Sequence, residues 1–159
     1  MDERQIKTFA REFDPQAFHL DEALAKATLF AGLAASGWHT AAITMRLLVD
    51  GGAPIAGGII GAGAEIAWPN PTRPGDILRV ESEVLSVTPS RSRPDRGTAT
   101  LRCHTVNQRG EVVQTLTAKL SCRGGSPDRE HQSFCRGRIG RVVRTGRVDS
   151  RPEAHCLSG

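Results

Sequence analysis

The feature that most constrains this chain is a change of period near Gly51. Residues 36–49 read as one long helix. Ser36 is a good helix cap, and Trp38, Ala41, Ala42, Met45, Leu48 and Val49 form an apolar stripe. Ile43 and Leu47 lie towards the other side, so the helix is apolar over much of its circumference, as a helix wrapped by other elements is. Gly51-Gly52 and Pro54 stop it. Everything beyond is strand-like. Residues 59–68 are a Gly/Ala-rich run ending at Pro69-Asn70-Pro71. In residues 77–87, Leu78, Val80 and Val84 alternate with Arg79, Glu81 and Glu83; in 98–106, Ala99, Leu101 and Cys103 alternate with Thr100, Arg102 and His104. In 112–120, Val112, Leu116, Ala118 and Leu120 alternate with Val113, Thr115 and Lys119. Thr72 to Asp76 forms a Pro/Gly turn, and Asn107 to Gly110 a hairpin loop with Gly at the bulge position. One apolar helix laid across a curled antiparallel sheet satisfies all of this. The expected fold is therefore α+β, a hot-dog arrangement in which the sheet wraps the helix.

Ahead of the long helix, Ile6, Phe9 and Phe13 share one face of a helix over residues 2–13, capped by Asp2. Pro15 ends it, and a brief helix or turn is expected over 21–27. Trp38 and Met45 read as core, and the loop over 89–97 as exposed.

The chain has 159 residues, enough for one domain with a real core. Its net charge of +4 is unevenly placed. Residues 1–122 hold 13 Lys+Arg against 13 Asp+Glu, while 123–159 hold eight Arg against four acids. The division expected is a folded domain over 1–122 and a disordered Arg/Gly/Ser-rich tail over 123–159. A neutral body offers no basic face, so nucleic acid is not the expected partner, and any binding by the tail would be strongly salt-dependent. Cys103, Cys122, Cys135 and Cys156 show no zinc-ligand spacing, so no metal is expected. No signal-like segment and no membrane-length apolar run are found, which points to a reducing, cytoplasmic setting.

The candidate chemistry lies in the segment from Glu12 to His19, EFDPQAFH. Asp14 opens an Asp-Pro turn and stands five positions before His19. One reading is a turn followed by a packed core histidine. The other is an acid/base pair, because a carboxylate and an imidazole in an apolar pocket tune each other towards proton transfer.

These residues resemble the motif of the MaoC-like dehydratase family, whose better-known members are R-specific enoyl-CoA hydratases. That motif has Asp, Asn two residues on, Pro, an apolar residue, and His five residues after the Asp. Here the corresponding residues are Asp14, Gln16, Ala17, Phe18 and His19, with Asp21 as the acid that follows. Ser36-Gly37 stands where the family has His-Gly, and Arg73-Pro74-Gly75-Asp76 resembles its turn into the long strands. A helix residue that is often Ser in the hydratases aligns with Met45, beside Thr44. The resemblance covers roughly residues 6–120. It implies hydration or dehydration of an acyl-CoA thioester, with Asp14 and His19 catalytic, Gly37 at the thioester oxygen, and no cofactor. Gln16, Ser36 and His39 are the other candidate substrate contacts, although Ser36 reads first as a cap and His39 points to the pocket or to a dimer seam. Trp68, Asn70 and Arg73 are candidates for a CoA channel. A homodimer is implied. Family members carry a strand before the first helix, whereas here Met1 sits almost on that helix. Either a start lies upstream, or the sheet lacks its first strand and one edge is exposed.

A hot-dog thioesterase is the nearest competing enzyme. It would place a carboxylate on or near the central helix, and residues 36–49 contain neither Asp nor Glu. A non-catalytic acyl-binding subunit is the competing reading from another class.

Overall fold

The computed structural model describes residues 1–53, 58–93, 95–123 and 140–142. The element order is α1 (Glu3–Phe13), α2 (Ala17–Leu20), α3 (Glu22–Lys26), α4 (Gly37–Leu47), β1 (Ile60–Ala67), β2 (Arg79–Pro89), β3 (Arg96–Val106), β4 (Val112–Arg123) and β5 (Gly140–Val142). The strands form one antiparallel sheet in the order β1-β4-β3-β2-β5, curled against α4. This is the hot-dog arrangement expected from the change of period.

Asp2 caps α1 in a reciprocal box: its carboxylate accepts from the Gln5 N–H, and the Gln5 side chain accepts from the Asp2 N–H. The buried face of α1 is Ile6 and Ala10; Phe13 is 65% exposed, so it does not share the core side. The helix ends at Asp14, whose N–H reaches the Ala10 carbonyl (2.9 Å) before Pro15 turns the chain away. The short α2, which had no counterpart among the expected elements, follows at once and carries His19. Asp21 caps α3 by accepting from the Leu24 N–H.

The core joins Leu47 and Leu48 to inward residues of the sheet, among them Val80, Val84, Leu101, Leu116 and Leu120. The alternation expected for 77–87 and 98–106 is observed. In β4 the expected sides of Val112 and Val113 are exchanged: Val113 is fully buried in the core and Val112 is half-buried, and past the β3–β4 register shift between Thr105 and Val106 the inward residues are Gln114, Leu116, Ala118 and Leu120. Of the expected stripe on residues 36–49 only Leu48 is buried in the core. Trp38 is 60% and Val49 64% exposed, and Met45 is also exposed. The covered side carries Thr40, Thr44 and Leu47 instead. Threonine is tolerated there because its hydroxyls are paired: Thr44 Oγ1 with Thr105 Oγ1 (2.7 Å), and Thr40 Oγ1 with Thr72 Oγ1 (3.0 Å). Past Leu47 the helix widens into a π-type turn over Leu48–Gly52, in which Gly51 supplies a φ of +132°.

Of the Arg-rich tail, residues 124–139 and 143–159 lie outside the described residues. Gly140–Val142 lies antiparallel to β2, with Ser82 opposite Val142 and Val84 opposite Gly140. That is the sheet edge opposite β1.

Leu47 is 1% exposed and packs where α4 meets the sheet. Leu47→Ala should therefore cost about 2–5 kcal/mol, as buried leucine truncations do, read as a lowered midpoint in urea unfolding.

Candidate active site

Asp14 and His19 meet at one end of a cleft of about 500 Å³. Its walls come from α2, the loop after α3, the first turn of α4 and the segment 68–72, with Gln16, Phe18, Phe30, Gly37, Trp38 and Trp68 among the lining residues.

Asp14 and His19 are each held by hydrogen bonds with neighbouring groups. Asp14 Oδ2 accepts from Ser36 Oγ (2.6 Å), and Asp14 Oδ1 accepts from Gln16 Nε2 (2.7 Å). Burial pushes the Asp14 pKa up, but the hydrogen bonds from Ser36 and Gln16 and the nearby His19 charge outweigh it. The carboxyl is held below its ordinary value and is ionised at neutral pH. His19 is 4% exposed, and its Nδ1 lies 2.8 Å from the Ala34 carbonyl. A carbonyl only accepts, so Nδ1 carries a proton; when the ring is singly protonated, Nε2 is then an acceptor. That Nε2 stands 3.4 Å from Asp14 Oδ2. Phe18 meets the His19 ring edge-on at 4.5 Å and keeps it upright.

The other candidate contacts divide. Gly37 lines the cleft, at the N-terminus of α4. Among the described residues no acceptor meets its N–H, which is one of the donors a helix leaves free in its first turn. The reason for glycine there is visible: an added Cβ would lie 2.7 Å from the Trp68 ring. Gln16 lines the cleft while tethering Asp14. Ser36 is buried at 1% exposure; it caps α4 by accepting from the Trp38 N–H (3.2 Å) and donates to Asp14. It touches the carboxylate and is not among the residues that line the cleft.

His39 is likewise not a cleft residue. Helical spacing turns it towards α1, where its ring stacks on Phe9 (4.5 Å, 4° between planes). Burial, with the N-terminal ammonium adding to it, pushes its pKa down to about 4. In this chain it is a neutral ring packed against α1.

Of the residues considered for a CoA channel, Trp68 and Asn70 line the cleft. Arg73 instead turns its guanidinium to backbone carbonyls of the loop over 28–33. Thr44, the neighbour of Met45, is buried in its pair with Thr105 and does not line the cleft. Thr40, Thr72 and Phe30 do line it and were not singled out from sequence. Nothing in their local pattern separates them from ordinary core positions. Cys103 is buried, and burial raises its thiol pKa despite a contact to Ser82, so it is no nucleophile.

The family model described as "MaoC like domain" matches residues 1–107. The chain belongs to the MaoC-like domain family. Among solved structures it is similar to the MaoC-like dehydratase from Rhodospirillum rubrum: 65% identity, TM-score 0.76, covering 77% of this chain and 84% of that one. It is similar also to the R-hydratase PhaJ1 from Pseudomonas aeruginosa: 28% identity, TM-score 0.58, covering 77% and 74%. Among curated proteins it is 38% identical over 119 residues to the uncharacterized protein YdeM of Bacillus subtilis (strain 168), covering 73% of this chain and 80% of that protein. The Asp14/His19 spacing thus sits inside the matched MaoC-like segment.

Two outcomes follow for this MaoC-like site. Ser36→Ala removes a hydrogen bond that favours the ionised form of Asp14, so the Asp14 pKa rises. A depressed carboxyl stabilises the fold above its unfolded pKa and loses that contribution as pH falls through its folded value. The variant should therefore lose stability at a higher pH than the wild type in an acid titration by circular dichroism, and it should also lose about 1 kcal/mol as a cap. Gly37→Ala should displace the Trp68 ring, read as a shift in intrinsic tryptophan emission.

Proposed function

We propose that this protein is a hydratase/dehydratase that interconverts 2-enoyl thioesters and 3-hydroxyacyl thioesters. The observation that carries the reading is the pair of acceptors, Asp14 Oδ2 and His19 Nε2, set 3.4 Å apart at the cleft. With Nε2 unprotonated, both atoms are acceptors that a double donor beside them can bridge, and a water molecule supplies one. With both hydrogens so engaged, its lone pair is free to point along the cleft at a substrate carbon.

The reaction then balances with two groups. The water oxygen bonds to C3 of the enoyl thioester while His19 Nε2 takes its proton. The C2–C3 π electrons move to C2 and the thioester oxygen, whose negative charge is met by the Gly37 N–H at the start of α4. The same proton is then delivered to C2, which restores neutral His19. Asp14, held ionised by Ser36 and Gln16, stabilises the transient imidazolium. Dehydration is the reverse.

An apolar groove of about 340 Å³ runs beside the next turns of α4, lined by Ala41, Met45 and Leu48 and by Gly63, Ala64 and Leu116 of the sheet. It suits the acyl tail, with coenzyme A or an acyl carrier as the head. The exposed Trp38 and Met45 on α4, with Val49 in the turn after it, suit a second copy of the chain, so a homodimer is the expected form, in the cytoplasm as its sequence suggests. No helix among the described residues is long and apolar enough to cross a membrane.

The test is hydration of crotonyl-CoA, followed as loss of enoyl-thioester absorbance. Asp14→Asn and His19→Ala should each lower kcat by about 10²-fold or more while thermal unfolding stays cooperative. Near-full activity in both folded variants would sink the assignment. Release of free thiol would point to a thioesterase. Stable acyl-CoA binding without turnover by the wild type would make it a non-catalytic acyl-binding subunit.

A further inference from the structure

The loop over 28–33 follows an uncommon path. Ala31 has a φ of +51° and Gly32 a φ of +149°. A left-handed residue with a side chain persists only where its surroundings over-determine it. Here Arg73 is the main restraint. Its Nη1 donates to the carbonyls of Gly32 (2.7 Å) and Leu33 (3.0 Å), and its Nη2 donates to the carbonyl of Phe30. Glu22 Oε2 also holds the loop by accepting from the Leu33 N–H (2.8 Å). The turn that bears Arg73 is itself fixed: its backbone N–H donates to the fully buried Asp76 carboxylate (2.8 Å).

The next carbonyl along, that of Ala34, receives the His19 Nδ1 proton, and the following Ala35 N–H returns to the Thr72 carbonyl (2.9 Å). Three carbonyls gathered on one guanidinium thus end one residue short of the carbonyl that fixes the His19 tautomer. A fork of fixed N–H donors does this; a lysine ammonium, a compact point charge on a flexible stem, does not reproduce it.

We propose that Arg73 is a positioning residue for His19: by gathering the Phe30, Gly32 and Leu33 carbonyls it sets where the Ala34 carbonyl meets Nδ1, and so keeps Nε2 the acceptor that faces Asp14. The inference rests on the reading of His19 as the proton-transfer group, but its structural link is measured without turnover. In the full-length, ¹⁵N-labelled protein, long-range ¹H–¹⁵N correlation reads the His19 tautomer directly. The wild type should show the ring protonated at Nδ1. Arg73→Met should give a mixture of tautomers, and Arg73→Lys, which retains the charge, should fail to restore it. With crotonyl-CoA both variants should lose kcat by about tenfold to a hundredfold with little change in KM, while Arg96→Ala, an exposed arginine elsewhere, changes neither reading.

An unaltered His19 tautomer in folded Arg73→Met overturns the proposal. So does unfolding of both Arg73 variants, which would make the residue a fold determinant alone. A wild type inactive on crotonyl-CoA whose tautomer still moves with Arg73 would uphold the positioning link and remove the hydratase reading instead.

Discussion

One hydroxyl group joins the fold to the site. Ser36 Oγ accepts from the Trp38 N–H and donates to Asp14 Oδ2. The first bond begins α4, the helix around which the sheet curls; the second fixes the carboxylate that ends α1. A cap of this kind is worth about 1 kcal/mol, and a hydrogen bond to a charge about 1.5–3 kcal/mol. Neither is large, yet the two are made by one atom, so the start of the central helix and the orientation of Asp14 are set together. Aspartate in place of Ser36 would cap as well but would bring a second negative charge against Asp14. A hydroxyl both accepts and donates, and that is what this junction requires.

The sheet was legible from sequence because one of its faces is buried. A period of two leaves a mark in strands such as β2 and β3, where Val80, Val84, Leu101 and Cys103 alternate with charged residues. The helix was harder. Its existence followed from Ser36 and the apolar run, but the buried side did not, since Thr40 and Thr44 read as polar. Their burial depends on Thr72 and Thr105, partners 32 and 61 positions away. Trp38 and Met45 were read as core for the converse reason: an apolar side chain favours burial on average but does not require it, and both are exposed here.

The candidate site shows the same division. Asp14 and His19 were readable as a pair because their spacing is local, and the short α2 closes that spacing into contact. The surroundings of the pair were not readable. The acceptor that fixes the His19 tautomer is a backbone carbonyl, which any residue at position 34 would provide. Arg73 leaves no sign in the sequence of which carbonyls it gathers. Gly37 was readable as a place of close approach, but what approaches is the Trp68 ring, itself held by a hydrogen bond from Nε1 to Gln114 Oε1 (2.9 Å). The requirement for glycine is thus met by packing alone, and among the described residues its N–H meets no acceptor.

How Asp14 is held also bears on which reaction the site suits. A thioesterase would ask a carboxylate to act as the base that drives water onto the thioester carbonyl. Here the carboxylate accepts hydrogen bonds from both Ser36 and Gln16, and these lower its basicity. A weaker base is a better fixed anion. In the proposed reaction the proton falls instead to His19 Nε2, and Asp14 supplies the charge that an imidazolium needs. α4 contributes no carboxylate, only the backbone N–H of Gly37 and the apolar side chains that follow it. A site with one shuttle base, one fixed anion and one oxyanion donor is matched to moving a single proton from water to an adjacent carbon, the demand of adding water across a conjugated double bond.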